Sequence, residues 1–186
     1  VQDIAAIVAA AKAAGVHTAI DNTWATPLFL RPLDHGIDVS IHSATKYIVG
    51  HSDAMLGVVT TNAETYDAVR RATQDLGACA GPEECSLGLR GLRTLAVRLR
   101  QHEASALTLA RWLEQQPQVA RVLHPALAAF PGHALWRRDF AGSSGLFSVE
   151  LASSDPEAAR AFIDGLALFR IGFSWGGFES LVLPVH

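Results

Sequence analysis

The sequence is poor in cysteine, having two, Cys79 and Cys85, among 186 residues. They lie six positions apart, which fits neither the C-x-x-C spacing of metal and redox sites nor a disulfide framework. We therefore expect two reduced thiols. The eight histidines lack the spacing that brings several ligands onto one zinc ion, so we expect no metal site.

The sequence also lacks a large excess of either charge and any long hydrophobic run. Fifteen Lys and Arg face eighteen Asp and Glu, for a formal net charge of −3, and the basic residues are scattered apart from an Arg-rich stretch over 90–100. This balance disfavours nucleic-acid binding. No apolar run approaches the ~20 residues that span a bilayer, and no leader is evident, so we expect a cytoplasmic protein without membrane contact.

What the sequence does have is apolar material for a packed core, with 49% hydrophobic residues. Val1 is not a start methionine, yet Ile4, Ile7 and Val8 already follow helical spacing, and an apolar run over 181–184 stops abruptly. We expect a chain cut from a longer protein and incomplete at both ends.

Helical and strand-like segments alternate along the chain, which indicates an α/β fold. The patterns predict a helix that ends near Ala14, helices over 63–75 and 155–166, and strands over 16–21, 37–42, 55–61, 119–123 and 146–151. A continuous helix is predicted over 82–116, weakened near its start by Gly88 and Gly91. Its length suggests that it bridges two domains, with the boundary near Arg93.

Two domains are therefore expected. Residues 1–92 form the C-terminal part of a large domain with a mainly parallel sheet, incomplete at its N-terminus. Residues 93–186 form a smaller α+β domain, entered through the bridging helix and incomplete at its C-terminus.

Polar residues follow two predicted strands, at the sheet edge where α/β proteins bind ligands. Asp21 ends the first strand after apolar residues, so we expect a carboxylate that is at least partly buried and paired; an Asp that caps its own turn is the alternative. Ser43, Thr45 and Lys46 follow the second strand. Two hydroxyls on one side of an extended chain can bind an anion, and a desolvated lysine can form a Schiff base. Lys46 as an ordinary surface lysine is the alternative.

Taken together, these residues meet the needs of pyridoxal phosphate (PLP). Its aldehyde requires a lysine, its ring nitrogen a carboxylate that keeps it protonated, and its phosphate hydrogen-bond donors. Lys46, Asp21 and the pair Ser43 and Thr45 supply them in that order. The separation of 25 positions from Asp21 to Lys46 suits a loop and a second strand that bring both strand ends to one edge.

The segments 21–25 (DNTWA) and 43–53 (SATKYIVGHSD) resemble the fold-type-I PLP enzymes of cysteine and methionine metabolism, and so does 174–181 (SWGGFESL). Trp175, where many members have Leu, and the turn over 50–53 resemble the bacterial branch that cleaves cystathionine. The resemblance covers essentially the whole chain. It implies that Lys46 bonds to the cofactor, that Asp21 pairs with the pyridine nitrogen, and that Ser43 and Thr45 bind the phosphate.

For the substrate, the resemblance implies that Ser174 tethers the lysine amine once substrate has displaced it. Trp175 offers its backbone near the substrate carboxylate. A glycine-containing phosphate loop, a ring-stacking tyrosine, and tyrosine and arginine groups from a neighbouring subunit would precede Val1. The arginine that binds the substrate carboxylate would follow His186.

The implied activity is that of a PLP-dependent carbon–sulfur lyase. It would act on an amino-acid thioether, splitting cystathionine by β-elimination into homocysteine, pyruvate and ammonia, within methionine biosynthesis or transsulfuration. Two alternatives stay open: γ-elimination or γ-replacement on the same scaffold, including a methionine γ-lyase type of reaction, and a fragment that is inactive. The resemblance also implies a homotetramer of dimers that share active sites.

Overall fold

Three strands form the sheet that carries the motif segments 21–25 and 43–53. The structure, a computed structural model, describes residues 1–185. Strand β1 (Ala19–Asp21) pairs in parallel with β2 (Val39–Ser43), and β2 pairs antiparallel with β3 (Gly57–Thr61). The three predicted strands are present with later starts. A mainly parallel sheet is expected from the sequence. Among the described residues, this sheet has one parallel and one antiparallel strand pair.

The remaining elements alternate between helix and strand only in part, because three helices follow one another over 63–113 and the last two strands are consecutive. The helices are α1 (Ile4–Ala14), α2 (Thr26–Phe29), α3 (Ala63–Asp75), α4 (Pro82–Leu92), α5 (Leu95–Leu113), α6 (His133–Asp139) and α7 (Pro156–Asp164), with a 3-10 turn at Pro32–His35. The later strands form two separate pairs: β4 (Val119–Leu123) with β5 (Ser148–Leu151), antiparallel, and β6 (Arg170–Ile171) with β7 (Leu181–Val182), parallel. Within residues 1–185, no helix combines the length and the hydropathy needed to cross a membrane.

Local end signals explain several helix bounds. Asp3 caps α1 by accepting a hydrogen bond from the Ala6 N–H at 3.2 Å, and Gly15 ends it with φ 65° in the left-handed region that glycine tolerates. Asp155 caps α7 in the same way, through the Glu157 N–H at 3.0 Å. The predicted bounds of α3 and β4 are confirmed, and α7 ends two residues before its predicted end.

The continuous helix predicted over 82–116 is wrong. The chain turns at Arg93 and Thr94, where Thr94 leaves helical geometry with φ −108° and ψ 1°, so α4 and α5 are separate helices. The cause is tertiary: Gly91 lets the end of α4 press against the backbone of residues 48 and 49, and the Thr94 N–H turns back to the Gly91 carbonyl at 3.1 Å. The domain boundary near Arg93 stays a prediction.

The apolar core lies beneath the segment that follows β2. Tyr47 and Ile48 are buried there against Leu95 and Leu99 of α5, and Trp175 packs on the same cluster. A second cluster joins α5 to β4 and β5. The residues around Lys46 therefore rest on the core, whereas Lys46 itself is half-buried at its edge.

Candidate active site

Lys46 lies on a tight helical turn directly after β2. The Lys46 N–H donates to the Ser43 carbonyl at 3.1 Å, and the Gly50 N–H donates to the Lys46 carbonyl at 2.8 Å. Gly50 adopts φ 72°, which ends the turn. Ala44 and Tyr47 are buried on either side of this segment. The fold thereby holds the backbone of Lys46 and leaves its amine at the sheet edge.

The end of β1 lies beside this turn. The Asn22 N–H donates to the Ile41 carbonyl of β2 at 2.8 Å, and the Ser43 N–H donates to the Thr23 hydroxyl at 2.9 Å. Because β1 and β2 run parallel, Asp21 and the turn of Lys46 reach the same edge of the sheet. These direct contacts join the two strand ends.

The expectation that Asp21 is at least partly buried is wrong. Asp21 is exposed at the end of a strand of only three residues, and its Oδ1 accepts a hydrogen bond from the Thr23 N–H at 2.8 Å. This short-range contact is that of an Asp that caps its own turn. The carboxylate is still at the sheet edge, open to a partner from outside the described chain.

The segment that begins at Ser174 lies against Lys46. The Lys46 Nζ donates a hydrogen bond to the Ser174 Oγ at 2.8 Å, and it lies 5.5 Å from the centre of the Trp175 indole ring. Gly176, at φ 89°, packs so closely that a Cβ would lie 2.8 Å from the Lys46 carbonyl carbon. The fold thus brings together two predicted site residues that are 128 positions apart.

A second contact fastens the same segment. The Ser52 hydroxyl donates to the Glu179 Oε2 at 2.8 Å, and Gly177 lies directly against both side chains. Ser52 has φ 58°, a left-handed conformation that a non-glycine residue seldom adopts. Both residues belong to the motif segments, but the sequence held no signal that they would meet.

The two hydroxyls predicted to bind an anion are placed differently from the expectation. Strand β2 ends at Ser43, so the extended geometry through Thr45 is wrong: the Thr45 N–H already bonds the Leu56 carbonyl at 3.0 Å. The Thr45 Oγ1 accepts from the Leu56 N–H at 2.8 Å and donates weakly to the Leu56 carbonyl at 3.3 Å. The Thr45 proton can therefore turn to a stronger acceptor such as a phosphate oxygen.

Tyr47 is a buried residue of the site to which sequence reasoning gave no role. Its ring lies between His102, at 5.4 Å, and Trp175, at 5.3 Å, and its hydroxyl accepts from the Gly145 N–H at 3.0 Å. Burial raises the pKa of this hydroxyl, so Tyr47 remains a neutral phenol. It ties the Lys46 turn to α5 and to the segment of Ser174.

His42, also in β2, is buried with no hydrogen-bond partner for either ring nitrogen among residues 1–185. Burial lowers the pKa of His42, and the negative charge of Asp21 opposes part of that shift. A neutral imidazole is therefore favoured near Asp21.

The donor set at this edge fits PLP. It offers an amine to bond an aldehyde, a carboxylate to pair with a ring nitrogen, and hydroxyls with protons for a phosphate. Of the predicted residues, the structure places Lys46 against Ser174 and Trp175, and it places Asp21, Ser43 and Thr45 on the connected strand ends. Among the described residues, no cluster of His, Cys, Asp and Glu has the geometry of a metal site.

Comparison with known proteins gives concordant matches over the whole chain. The profile of a family described as Cys/Met metabolism PLP-dependent enzymes matches residues 1–185. A putative cystathionine beta-lyase of Rhizobium johnstonii is 54% identical over 189 residues, which cover 100% of this chain and 48% of that protein. Cystathionine beta-lyase MetC of Escherichia coli is 48% identical over 192 residues, which cover 100% of this chain and 49% of that protein.

Solved structures agree. The crystal structure of cystathionine gamma synthase from Xanthomonas oryzae pv. oryzae, in complex with aminoacrylate and cysteine, superimposes with a TM-score of 0.92 at 41% identity, covering 96% of this chain and 46% of that one. This similarity confirms the predicted fold class. The chain spans about half the length of the curated relatives it matches.

Proposed function

Because the chain belongs to the family of Cys/Met metabolism PLP-dependent enzymes, we propose that the natural protein containing it is a carbon–sulfur lyase that cleaves cystathionine by β-elimination. Cystathionine and one water would give homocysteine, pyruvate and ammonia. The observation that carries the proposal is the 2.8 Å hydrogen bond from the Lys46 amine to the Ser174 hydroxyl, at the sheet edge that also carries Asp21. The relatives named as cystathionine beta-lyases support this choice of substrate.

The residues present would hold the cofactor at four points. Lys46 would bond it covalently, Asp21 would accept a hydrogen bond from the ring nitrogen, and Ser43 and Thr45 would donate to the phosphate. When bound, PLP supplies an electron sink that stabilises negative charge on the substrate Cα.

Side chains of this chain then carry out the proton transfers. The Lys46 amine, held by the Ser174 hydroxyl, removes the proton from the substrate Cα, since within residues 1–185 it is the lysine amine beside the site. As the Cβ–S bond breaks, the sulfur keeps the electron pair, and Lys46 returns the proton to it. The three-carbon fragment takes up water and yields pyruvate and ammonia. Trp175, whose indole faces the Lys46 amine, stabilises that amine while it carries the extra proton and presents its backbone to the substrate carboxylate.

We also propose a cytoplasmic homotetramer. Large apolar side chains stand exposed on this chain, among them Met55 and Leu76 at 82% each, and such surface normally packs against more protein. Either the rest of the protein or another subunit would cover it.

A γ-elimination or γ-replacement reaction on the same scaffold is the second candidate. It is favoured by the structural match to a cystathionine gamma synthase at 41% identity and by a cystathionine gamma-lyase of Dictyostelium discoideum at 38% identity. The same lysine chemistry serves both outcomes, and pocket walls decide between them.

The test uses the natural protein that contains this chain. Incubation with PLP, borohydride reduction and peptide mass mapping should place the cofactor on Lys46. Lys12 is the only other lysine of the chain, so Lys12→Ala is the matched control: it should keep the label, whereas Lys46→Ala should lose it. Label retained in Lys46→Ala would refute the role of Lys46.

Product analysis with cystathionine then decides the reaction. Pyruvate with homocysteine supports β-elimination, and 2-oxobutyrate with cysteine supports the second candidate. If the isolated 186-residue chain binds no PLP while the natural protein does, the chain alone is an inactive fragment.

A further inference from the structure

Arg98, in the first turn of α5, directs its guanidinium at backbone carbonyls from two distant segments. It donates to the Tyr47 carbonyl at 2.8 Å, to the Ile48 carbonyl at 3.2 Å and to the Gly91 carbonyl at 2.8 Å. Its Nε donates to the Thr94 hydroxyl at 3.0 Å. Among residues 1–185, no carboxylate comes within salt-bridge distance of Arg98. The partners of the side chain are thus three main-chain carbonyls and one hydroxyl.

We propose that Arg98 is a positioning residue for Lys46. It would fix the turn that carries Lys46 against the junction of α4 and α5, so that the lysine amine stays beside the Ser174 hydroxyl. This inference rests on the proposed function, because it gives Arg98 a part in holding the reacting amine.

The chemistry of the carbonyls explains why an arginine is needed. A helical turn leaves its last carbonyls without N–H partners. Within residues 1–185, the Tyr47 and Ile48 carbonyls accept no backbone N–H, whereas the Gly91 carbonyl at the end of α4 accepts the Thr94 N–H at 3.1 Å and, beside it, the Arg98 guanidinium at 2.8 Å. A cation is favourable beside them. Arginine carries five N–H donors in a rigid plane, so one side chain can satisfy carbonyls of both ends at once, which the single ammonium of lysine cannot do in the same geometry.

Two glycines make the close approach possible. At Gly50, which has φ 72°, a Cβ would overlap the Arg98 guanidinium, with Nη2 at 2.9 Å. At Gly91 a Cβ would lie 2.5 Å from the Val49 carbonyl oxygen, and nearer still to that of Ile48. Gly50 thus joins Gly91 and Arg98, which are more than 40 positions away from it in the sequence, in one contact. Gly91, which in the sequence only weakens the predicted helix, and Arg98, from the Arg-rich stretch over 90–100, both belong to this contact.

The contact acts on Lys46 through its own turn. Arg98 binds the carbonyls of the two residues that follow Lys46, and the Gly50 N–H binds the Lys46 carbonyl at 2.8 Å. On the other side, Ser174 holds the amine. With Arg98 in place the backbone and the amine are fixed from opposite sides. Without it, the turn keeps its apolar packing on α5 but loses these hydrogen bonds, so it can shift and carry the amine out of line.

Arg98 differs from an ordinary core residue in one measurable way. A residue that only stabilises the fold would change the melting temperature and the amount of active protein. A positioning residue changes the turnover of the folded protein, and it changes the pH at which the absorbance of the Lys46-bound cofactor shifts, because that pH depends on where the amine is held.

The experiment uses the holoprotein that contains this chain, as wild type, Arg98→Lys and Arg100→Lys. Arg100 is exposed on the same helix, so its conservative change is the matched control. For Arg98→Lys we expect kcat to fall by about ten- to a hundredfold, the effect of a misplacement of about 1 Å, with less than about a threefold change in KM. The pH midpoint of the cofactor absorbance should shift, whereas Arg100→Lys should match wild type in all three measurements.

Values of kcat and pH midpoint in Arg98→Lys equal to those in Arg100→Lys would overturn the proposal. If Arg98→Lys does not fold, Thr94→Val decides: it removes the hydroxyl that accepts from the Arg98 Nε and donates to the Gly91 carbonyl at 3.1 Å, and we expect a fall in kcat of about threefold. An unchanged kcat in that variant overturns the proposal. Wild-type protein that bonds no PLP at Lys46 would instead refute the proposed function itself, so the two failures are distinguishable.

Discussion

Replacing Gly91 by alanine sets two effects of opposite sign against each other. Gly91 lies within α4, and alanine is preferred to glycine in a helix by about 1 kcal/mol. Helix propensity alone therefore predicts a more stable protein. The surroundings predict the reverse, because a Cβ at Gly91 would lie 2.5 Å from the Val49 carbonyl oxygen and 2.9 Å from the Val49 Cα, closer than the 3.0 Å that real Cβ atoms keep.

The magnitude follows from what must move. The atoms in conflict are backbone atoms of the turn that carries Lys46, and they cannot rotate aside as a side chain does. Relief requires α4 and this turn to separate by about 1 Å. Overpacking costs about 1–3 kcal/mol, and a rigid neighbour places the cost in the upper half of that range. After the gain in helix propensity, we expect the free energy of unfolding to fall by about 1–2 kcal/mol.

Gly88 provides the control on the same helix. It is also buried in α4, but its Cβ would meet only the Leu56 Cδ2, at 2.5 Å, which is the mobile end of a flexible side chain. Gly88→Ala gains the same helix propensity at a small steric cost, so it should leave the free energy of unfolding unchanged or raise it. The free energies of unfolding of the two variants should therefore differ by about 1–3 kcal/mol, with helix propensity cancelled.

The assay is urea unfolding of the natural protein, followed by tryptophan fluorescence and circular dichroism, together with kcat. Gly91→Ala should also lower kcat by about ten- to a hundredfold, because the turn of Lys46 shifts with the helix. If Gly91→Ala unfolds at the same or a higher urea concentration than Gly88→Ala and keeps full turnover, the steric reasoning is refuted.

Three further predictions concern charge. Asp21→Ala should slow elimination by at least about a hundredfold, since it removes the acceptor from the ring nitrogen of the electron sink; near-normal kcat/KM would refute that role. Burial lowers the pKa of three histidines, which favours their neutral forms in the folded state: His42, His102 and His124. The unfolded chain therefore binds more protons, and the free energy of unfolding should be highest above pH ~6.5 and fall as the pH drops below it, in urea titrations from about pH 8 to about pH 5; a flat profile would contradict this. A double-mutant cycle of Ser52→Ala and Glu179→Ala should give a coupling of about 0.5 kcal/mol in unfolding free energy, and zero coupling would mean that the contact does not form in solution.

Local signals in the sequence were sufficient wherever a short segment determines its own structure. Gly15 ends α1, Asp155 caps α7, and the patterns of α3 and β4 have the predicted bounds. The same holds for the placement of Asp21 and Lys46 at one sheet edge, because parallel strands end together.

The rest depends on contacts between distant segments, which no local pattern encodes. The break at Thr94 arises because α4 meets the backbone of residues 48 and 49, and a helical periodicity over 82–116 cannot reveal that neighbour. The prediction that Asp21 is partly buried is wrong because its strand is short and ends in a turn that Asp21 itself caps. The contact of Arg98 with the Lys46 turn was likewise invisible, since arginine usually indicates surface.

The hydrogen bond between Lys46 and Ser174 has a consequence for the synthesis of the protein on the ribosome. Ribosomes add about 5–20 residues per second, so the 128 positions between the two residues correspond to roughly 6–25 s of synthesis. During that interval the amine emerges without the hydroxyl that later covers it. Until the segment of Ser174 has been synthesised, the Lys46 amine lacks the hydroxyl that holds it in the finished fold.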